Sequence, residues 1–184
     1  MTTIINGSSP SVTFSDGTTQ TTAGLPLTGG TVTGNVTVTG NIIQGANAAP
    51  TFSAYNSGTQ SLTASTPAKL VFNAENFDTN NNFDSTTNYR FTPTVAGYYF
   101  LSALVFQGGT NVQLILQVYK NGSFYQEIAR QYSVTPNGSS NGGCLVYANG
   151  STDYFEIYGT ANVNATLGAG AAYFWFSGFL ARSA

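Results

Sequence analysis

Residues 89–106 read YRFTPTVAGYYFLSALVF, and the fold turns on how this stretch is read. Pro93 and Gly97 punctuate its entry. The run from Tyr98 to Phe106 is then aromatic or aliphatic at every position except Ser102. At the strand period of two, Tyr99, Leu101, Ala103 and Val105 point one way. Tyr98, Phe100, Leu104 and Phe106 point the other. A strand at the surface of a sheet is apolar on one face only. This one needs apolar cover on both, so a sandwich core can serve one face and something else must serve the second.

Two more segments share the property. Along 112–119, Val112, Leu114, Leu116 and Val118 face one way, with Ile115 and Tyr119 opposite. Along 171–180 (AAYFWFSGFL), Tyr173, Trp175 and Phe179 alternate with Phe174, Phe176 and Leu180. A monomer would leave many of these rings in water, and an exposed patch of that size marks an interface. Each buried aromatic contributes roughly 1.5–3 kcal/mol. Two or three per subunit are enough to hold a symmetric oligomer, although the pattern leaves the number of subunits open.

The remaining chain reads as β structure at short spacing. Strands are expected at 51–56, 68–72, 98–106, 112–120, 123–132, 143–148, 153–158 and 171–180, and no long segment has helical spacing. Asn121-Gly122 joins VQLILQVYK to SFYQEIARQ in a type I′ hairpin, where both central residues need φ > 0. Asn149-Gly150 reads as a second hairpin, between CLVYA and DYFEIY. The expected class is all-β, a jelly-roll β-sandwich.

Ahead of it lie short β pieces over residues 1–24, then two gapless copies of one hexapeptide: TVTGNV at 31–36 and TVTGNI at 37–42. Two copies cannot bury a face within one chain. Three chains side by side could, by placing Val32, Val36, Val38 and Ile42 against a shared axis, as in an intertwined fibre stalk. The alternative is a flexible Thr/Gly linker. Residues 43–50 (IQGANAAP) read as a connector. The expected division is an attachment segment at 1–24, a stalk with its connector at 25–50, and a head at 51–184.

Only 7% of the 184 residues are charged, against about 25% in typical soluble domains. Thr, Ser, Asn, Gln and Gly must supply the polar surface, a balance that fits extracellular fibrous or virion proteins. A net charge of −2 offers no basic patch for nucleic acid. No apolar run reaches the roughly 18 residues of a membrane span. The opening MTTIINGSSPS has neither a basic start nor an apolar core, so it does not read as a secretory signal. An external location would then come from assembly into a particle or from lysis.

Catalytic chemistry is not expected. The chain has no histidine, which removes the serine–histidine systems. Cys144, the single cysteine, excludes an intrachain disulfide and reads as a small core residue. Of the seven carboxylates, Asp78 with Asp84 and Asp153 with Glu156 are the pairs that could approach each other. Turn and surface roles account for them. The stretch from Asp78 to Asp84 (DTNNNFD) has oxygen ligands at alternate positions, which makes these two residues the calcium candidates. However, Phe83 stands where a calcium loop has Gly, and Tyr89 where it has its last acidic ligand. No cofactor is expected.

Residues 51–184 resemble the globular head of complement C1q and its tumour-necrosis-factor-like relatives. The resemblance rests on TFSAYNS (51–57), KLVFNAENFDTNNNFD (69–84), YRFTPTVAGYYFLSALVF and YFWFSGFLARS (173–183). Phe72, Asp78, Phe83, Phe91, Gly97 and Tyr99 fill the family's spacing. One extra residue lies between Phe83 and Phe91, and Leu101 and Ala103 replace aromatics. The resemblance implies a homotrimer of ten-stranded jelly rolls. It puts Phe100, Leu104, Phe174, Phe176 and Leu180 toward the threefold axis, and Tyr99, Leu101, Trp175 and Phe179 in the core.

Residues 12–42, VTFSDGTTQTTAG followed by LPLTGGTVTGNVTVTGNI, resemble stalk segments of bacteriophage tail fibres. They stand where animal relatives carry a collagen tract. Together the two resemblances imply a virion fibre protein that docks on other particle proteins through its N-terminus. Its head would contact a host surface polysaccharide or envelope protein. A capsid head fibre or decoration protein is the alternative, followed by a secreted C1q/TNF-like ligand.

Overall fold

The computed structural model describes residues 49–184 and the backbone of three short strands nearer the N-terminus. The chain divides into two compact units, 1–42 and 43–184. In the first, β1 (Ile4–Asn6), β2 (Ser11–Thr13) and β3 (Thr19–Gln20) pair as an antiparallel meander. The stalk positions Val32, Val36, Val38 and Ile42 lie outside the described residues.

The second unit is built from strands throughout its described length, with no helix among the described residues. It opens with β4 (Thr51–Tyr55), β5 (Gln60–Leu62), β6 (Ala68–Lys69), β7 (Ala74–Asp78), β8 (Phe83–Asp84) and β9 (Arg90–Phe91). The long strands follow: β10 (Gly97–Gln107), β11 (Val112–Lys120), β12 (Ser123–Ser133) and β13 (Gly138–Ala148). It closes with β14 (Phe155–Ala161), β15 (Ala165–Leu167) and β16 (Phe174–Ser183). One sheet runs β5-β15-β10-β16-β4-β7, with β13 also paired to β10; the other runs β12-β11-β14-β9-β8, with β6 on β14.

The two sheets enclose a core rich in aromatic rings. Phe52 on β4 stacks on Phe91 of β9 at 4.3 Å and meets Phe176 of β16 edge-on at 4.9 Å. Phe72 packs edge-on against Phe174 at 5.3 Å. Edge-to-face and offset stacks of this kind add roughly 0.5–1.5 kcal/mol to plain burial. Tyr99, Leu101, Ala103 and Val105 are buried, as are Val112, Leu114, Leu116 and Val118, so alternation along β10 and β11 is as expected. The Tyr99 hydroxyl donates to the Val95 carbonyl at 2.8 Å, which satisfies the one polar atom of that buried ring.

Three features depart from expectation. The first is β16. Leu101, Ala103 and Val105 pair with Gly178, Phe176 and Phe174, and residues directly opposite each other share a face. Phe174 and Phe176 therefore point into the sandwich core, where both are 0% exposed. Leu180 follows them after a register shift at Tyr98/Tyr99 and packs against the core. Trp175 and Phe179 take the outer face instead. The second is Asn149-Gly150, which closes no hairpin: β13 and β14 belong to different sheets, so this turn carries the chain across the sandwich. The Asn149 side chain accepts the N–H groups of Ser151, Thr152 and Asp153 to shape it. Asn121-Gly122, by contrast, forms the expected turn, with φ of 54° and 77°.

The third is the reach of β13, which begins at Gly138 although GSSNG has a loop composition. Ser140 is buried and donates its hydroxyl to the Leu114 carbonyl. Gly142 lets β12 pass close by, since a Cβ there would overlap the Ile128 carbonyl. Backbone cannot give way as a side chain can, so Gly142→Ala is expected to destabilise the head by about 1–3 kcal/mol. Gly108, with open space around it, is the control, and Gly108→Ala should stay within about 0.5 kcal/mol of wild type. Thermal denaturation of the two variants checks both.

Candidate functional site

Pairing arranges the outer face of the β10 sheet in rows. Phe100 stands between Phe179 of β16 and Leu145 of β13. Leu104 stands between Trp175 and Asn141, and Trp175 in turn pairs with Tyr55. Between these rows runs a line of small residues, Ser53, Ser177, Ser102 and Gly143, with the Ser102 and Ser177 hydroxyls 3.2 Å apart. Tyr98 packs on Tyr147 at one end, and Phe106 on Tyr173 at the other.

The rings on this face are substantially open. Phe179 is 48% exposed, Tyr173 56% and Leu145 59%; Phe100, Leu104 and Trp175 are half-buried by their neighbours. The rows centred on Phe100, Ser102 and Leu104 contain no charged residue. The ion pairs lie elsewhere. Lys69–Glu156, Lys120–Asp153 and Arg130–Glu127 all belong to the other sheet or the turn leading into it. Of the expected axis residues, Phe100 and Leu104 lie on the open apolar face, while Phe174, Phe176 and Leu180 do not. Leu145, Tyr147 and Phe77 join that face without having been foreseen. Their strands looked half-polar, and only pairing with β10 and β4 reveals which side they take.

Asp78 and Asp84 act as staples of their own loops. Asp78 accepts the N–H groups of Asn80 and Phe83. Asp84 accepts from the N–H and hydroxyl of Thr86, the N–H of Thr87, and the N–H and side-chain amide of Asn88. These donors, the Thr87 N–H foremost, hold the Asp84 carboxyl well below the ordinary carboxylate range. Asp153 and Glu156 lie in separate ion pairs. No group of three or more potential metal ligands occurs among the described residues.

The same groups set the pH response. Hydrogen bonding from Arg130 lowers Glu127. Burial pushes the Asp153 carboxyl up, but Asn121, Lys120 and the Asn149 N–H outweigh it and leave it lowered. Burial raises Cys144 to about 11 and Tyr99 to about 12. A carboxyl whose folded pKa lies below its unfolded value of about 4 stabilises the fold fully above that value. That contribution is lost as pH falls through the folded pKa. With no histidine in the chain, head stability should be level between about pH 5 and pH 8. It should decline only below about pH 4. Thermal melts across this range test it, and a fall between pH 8 and pH 6 would contradict it.

No family model matches the chain, and no curated protein matches it. Solved structures do match. The globular domain of zebrafish complement 1qA is 20% identical with a TM-score of 0.54, covering 73% of this chain and 99% of its own. The Eiger TNF of S. frugiperda is 10% identical with a TM-score of 0.55, covering 74% and 93%. Murine APRIL is 10% identical with a TM-score of 0.54, covering 72% and 98%. The head has the C1q/TNF-like jelly-roll fold. Phe72, Phe83, Phe91 and Tyr99, which carried the sequence resemblance, are all buried in the core of this C1q/TNF-like head.

Proposed function

We propose that the chain is a homotrimeric fibre protein of a bacteriophage particle. Residues 1–24 attach it to other virion proteins, residues 25–50 form an intertwined stalk, and the head contacts polysaccharide or envelope protein on the host surface. The role is binding rather than catalysis, and it uses no cofactor.

The partition of the head surface carries this reading. One sheet presents an apolar patch of Phe100, Leu104, Leu145, Trp175 and Phe179, with Arg182 only at its Tyr98 end, and the other keeps the ion pairs. Threefold packing of the first face buries the rings and leaves the charged sheet and the loops in water. The Thr/Gly phrases of residues 12–42 favour a fibre over a secreted ligand of the same fold.

Binding of the labelled protein to a panel of bacterial strains tests the role. Saturable binding to one strain is expected. A trimeric protein that binds no strain would contradict it and favour a capsid decoration role.

A further inference from the structure

The cations of the head are unevenly matched. Lys69, Lys120 and Arg130 each meet a carboxylate. Among the described residues Arg90 and Arg182 meet none, although Asp84 stands directly opposite Arg90 in the β8–β9 pair. The two Asp84 oxygens are already engaged by the Thr86, Thr87 and Asn88 donors. The Arg90 guanidinium lies instead over the Tyr154 ring, 4.2 Å from its centroid. Among the described residues, none of its N–H groups meets an acceptor.

Tyr154 is itself held in place. Its backbone N–H donates to the Asn121 side chain at 2.9 Å, and its carbonyl accepts the Asn121 N–H at 3.0 Å. The hairpin turn thus fixes a ring, and the ring supports one face of the guanidinium. A stacked guanidinium keeps its hydrogen-bonding edge free and loses little freedom on binding. Arg90 lines an open cleft of about 520 Å³ together with Asn81, Ser85, Thr92, Thr94 and the carboxylates Asp84 and Glu75. None of these belongs to the apolar rows of the β10 sheet.

We propose that this cleft binds an anionic glycan: a polyhydroxylated chain bearing a carboxylate or a phosphate. Arg90 takes the anion in a forked contact, and the amide and hydroxyl side chains take the sugar hydroxyls. The proposal deepens the host-binding reading and rests on it for the source of the glycan. Of the two carboxylates on the cleft, Asp84 is engaged by the donors of its own loop, while Glu75 is exposed and supplies a check on sign. It opposes an anionic ligand, would assist a cationic one and is indifferent to a neutral one.

Calorimetric titration of the full chain with three probes tests the proposal: tetragalacturonate, a glycerol phosphate oligomer and uncharged maltotetraose. Binding of either anionic probe but not of maltotetraose is expected, and which one binds identifies the anion. Arg90→Gln should weaken binding at least about tenfold without lowering the melting temperature. Arg90→Lys should fall between, since it keeps the charge and loses the fork. Glu75→Gln should tighten binding. Failure of both anionic probes, or equal binding by Arg90→Gln, overturns the proposal. Cell binding separates the two readings. Cells bound equally by wild type and Arg90→Gln would sink the cleft but keep the host-binding role. A wild type that binds a probe but no cells would do the reverse.

Discussion

Phe179→Asp is expected to give a protein that folds but whose heads no longer associate. Phe179 is 48% exposed on the single chain and packs on Phe100 at 5.8 Å, in the middle of the apolar face. A carboxylate there removes the burial of the exposed half of the ring, roughly 0.7–1.5 kcal/mol per subunit. Three chains lose it together, which weakens association at least about thirtyfold. Desolvation of three like charges near one axis adds to the loss. Trp175 is the only tryptophan and lies on the same face, so its fluorescence reports the event whatever the stalk does. The variant should keep the far-ultraviolet circular dichroism of wild type and show red-shifted emission. Unchanged emission would mean that this face is not the contact.

Phe176→Asp should behave differently and fail to fold. Phe176 is fully buried and touches Phe52, Phe72 and Phe83. Truncating such a ring costs about 3–5 kcal/mol, and an unpaired buried carboxylate costs more. Domains of this size hold only about 5–15 kcal/mol in reserve. Loss of the cooperative thermal transition is the expected readout. A soluble, folded monomer would place Phe176 on the subunit interface and reverse the assignment of faces on β16.

The contrast between these two residues shows where the sequence was legible. Alternation sorted β10 and β11 into their two faces correctly, the family resemblance turned Tyr99 and Leu101 inward, and Asn121-Gly122 announced its turn. On β16 alternation separated the two faces, but the resemblance turned the wrong one inward, and a strand that is apolar on both faces carries no signal of its own to correct it. Pairing with β10 decides it, and pairing is a long-range property. Gly138 to Gly142 looked like loop because the pattern omits what the neighbour requires: a buried hydroxyl at Ser140 and bare backbone at Gly142. The Arg90 cleft had no local signature at all. It exists because Asp84 is engaged by its own loop and because Tyr154, distant in sequence, comes to lie beneath the guanidinium.

The central claim is that the apolar face of the β10 sheet joins copies of this chain around a threefold axis. The molar mass of the purified protein by multi-angle light scattering tests it most directly. The account predicts three times the chain mass of 19.3 kDa. A mass near 19.3 kDa at micromolar concentration would contradict it and leave the aromatic face without an explanation.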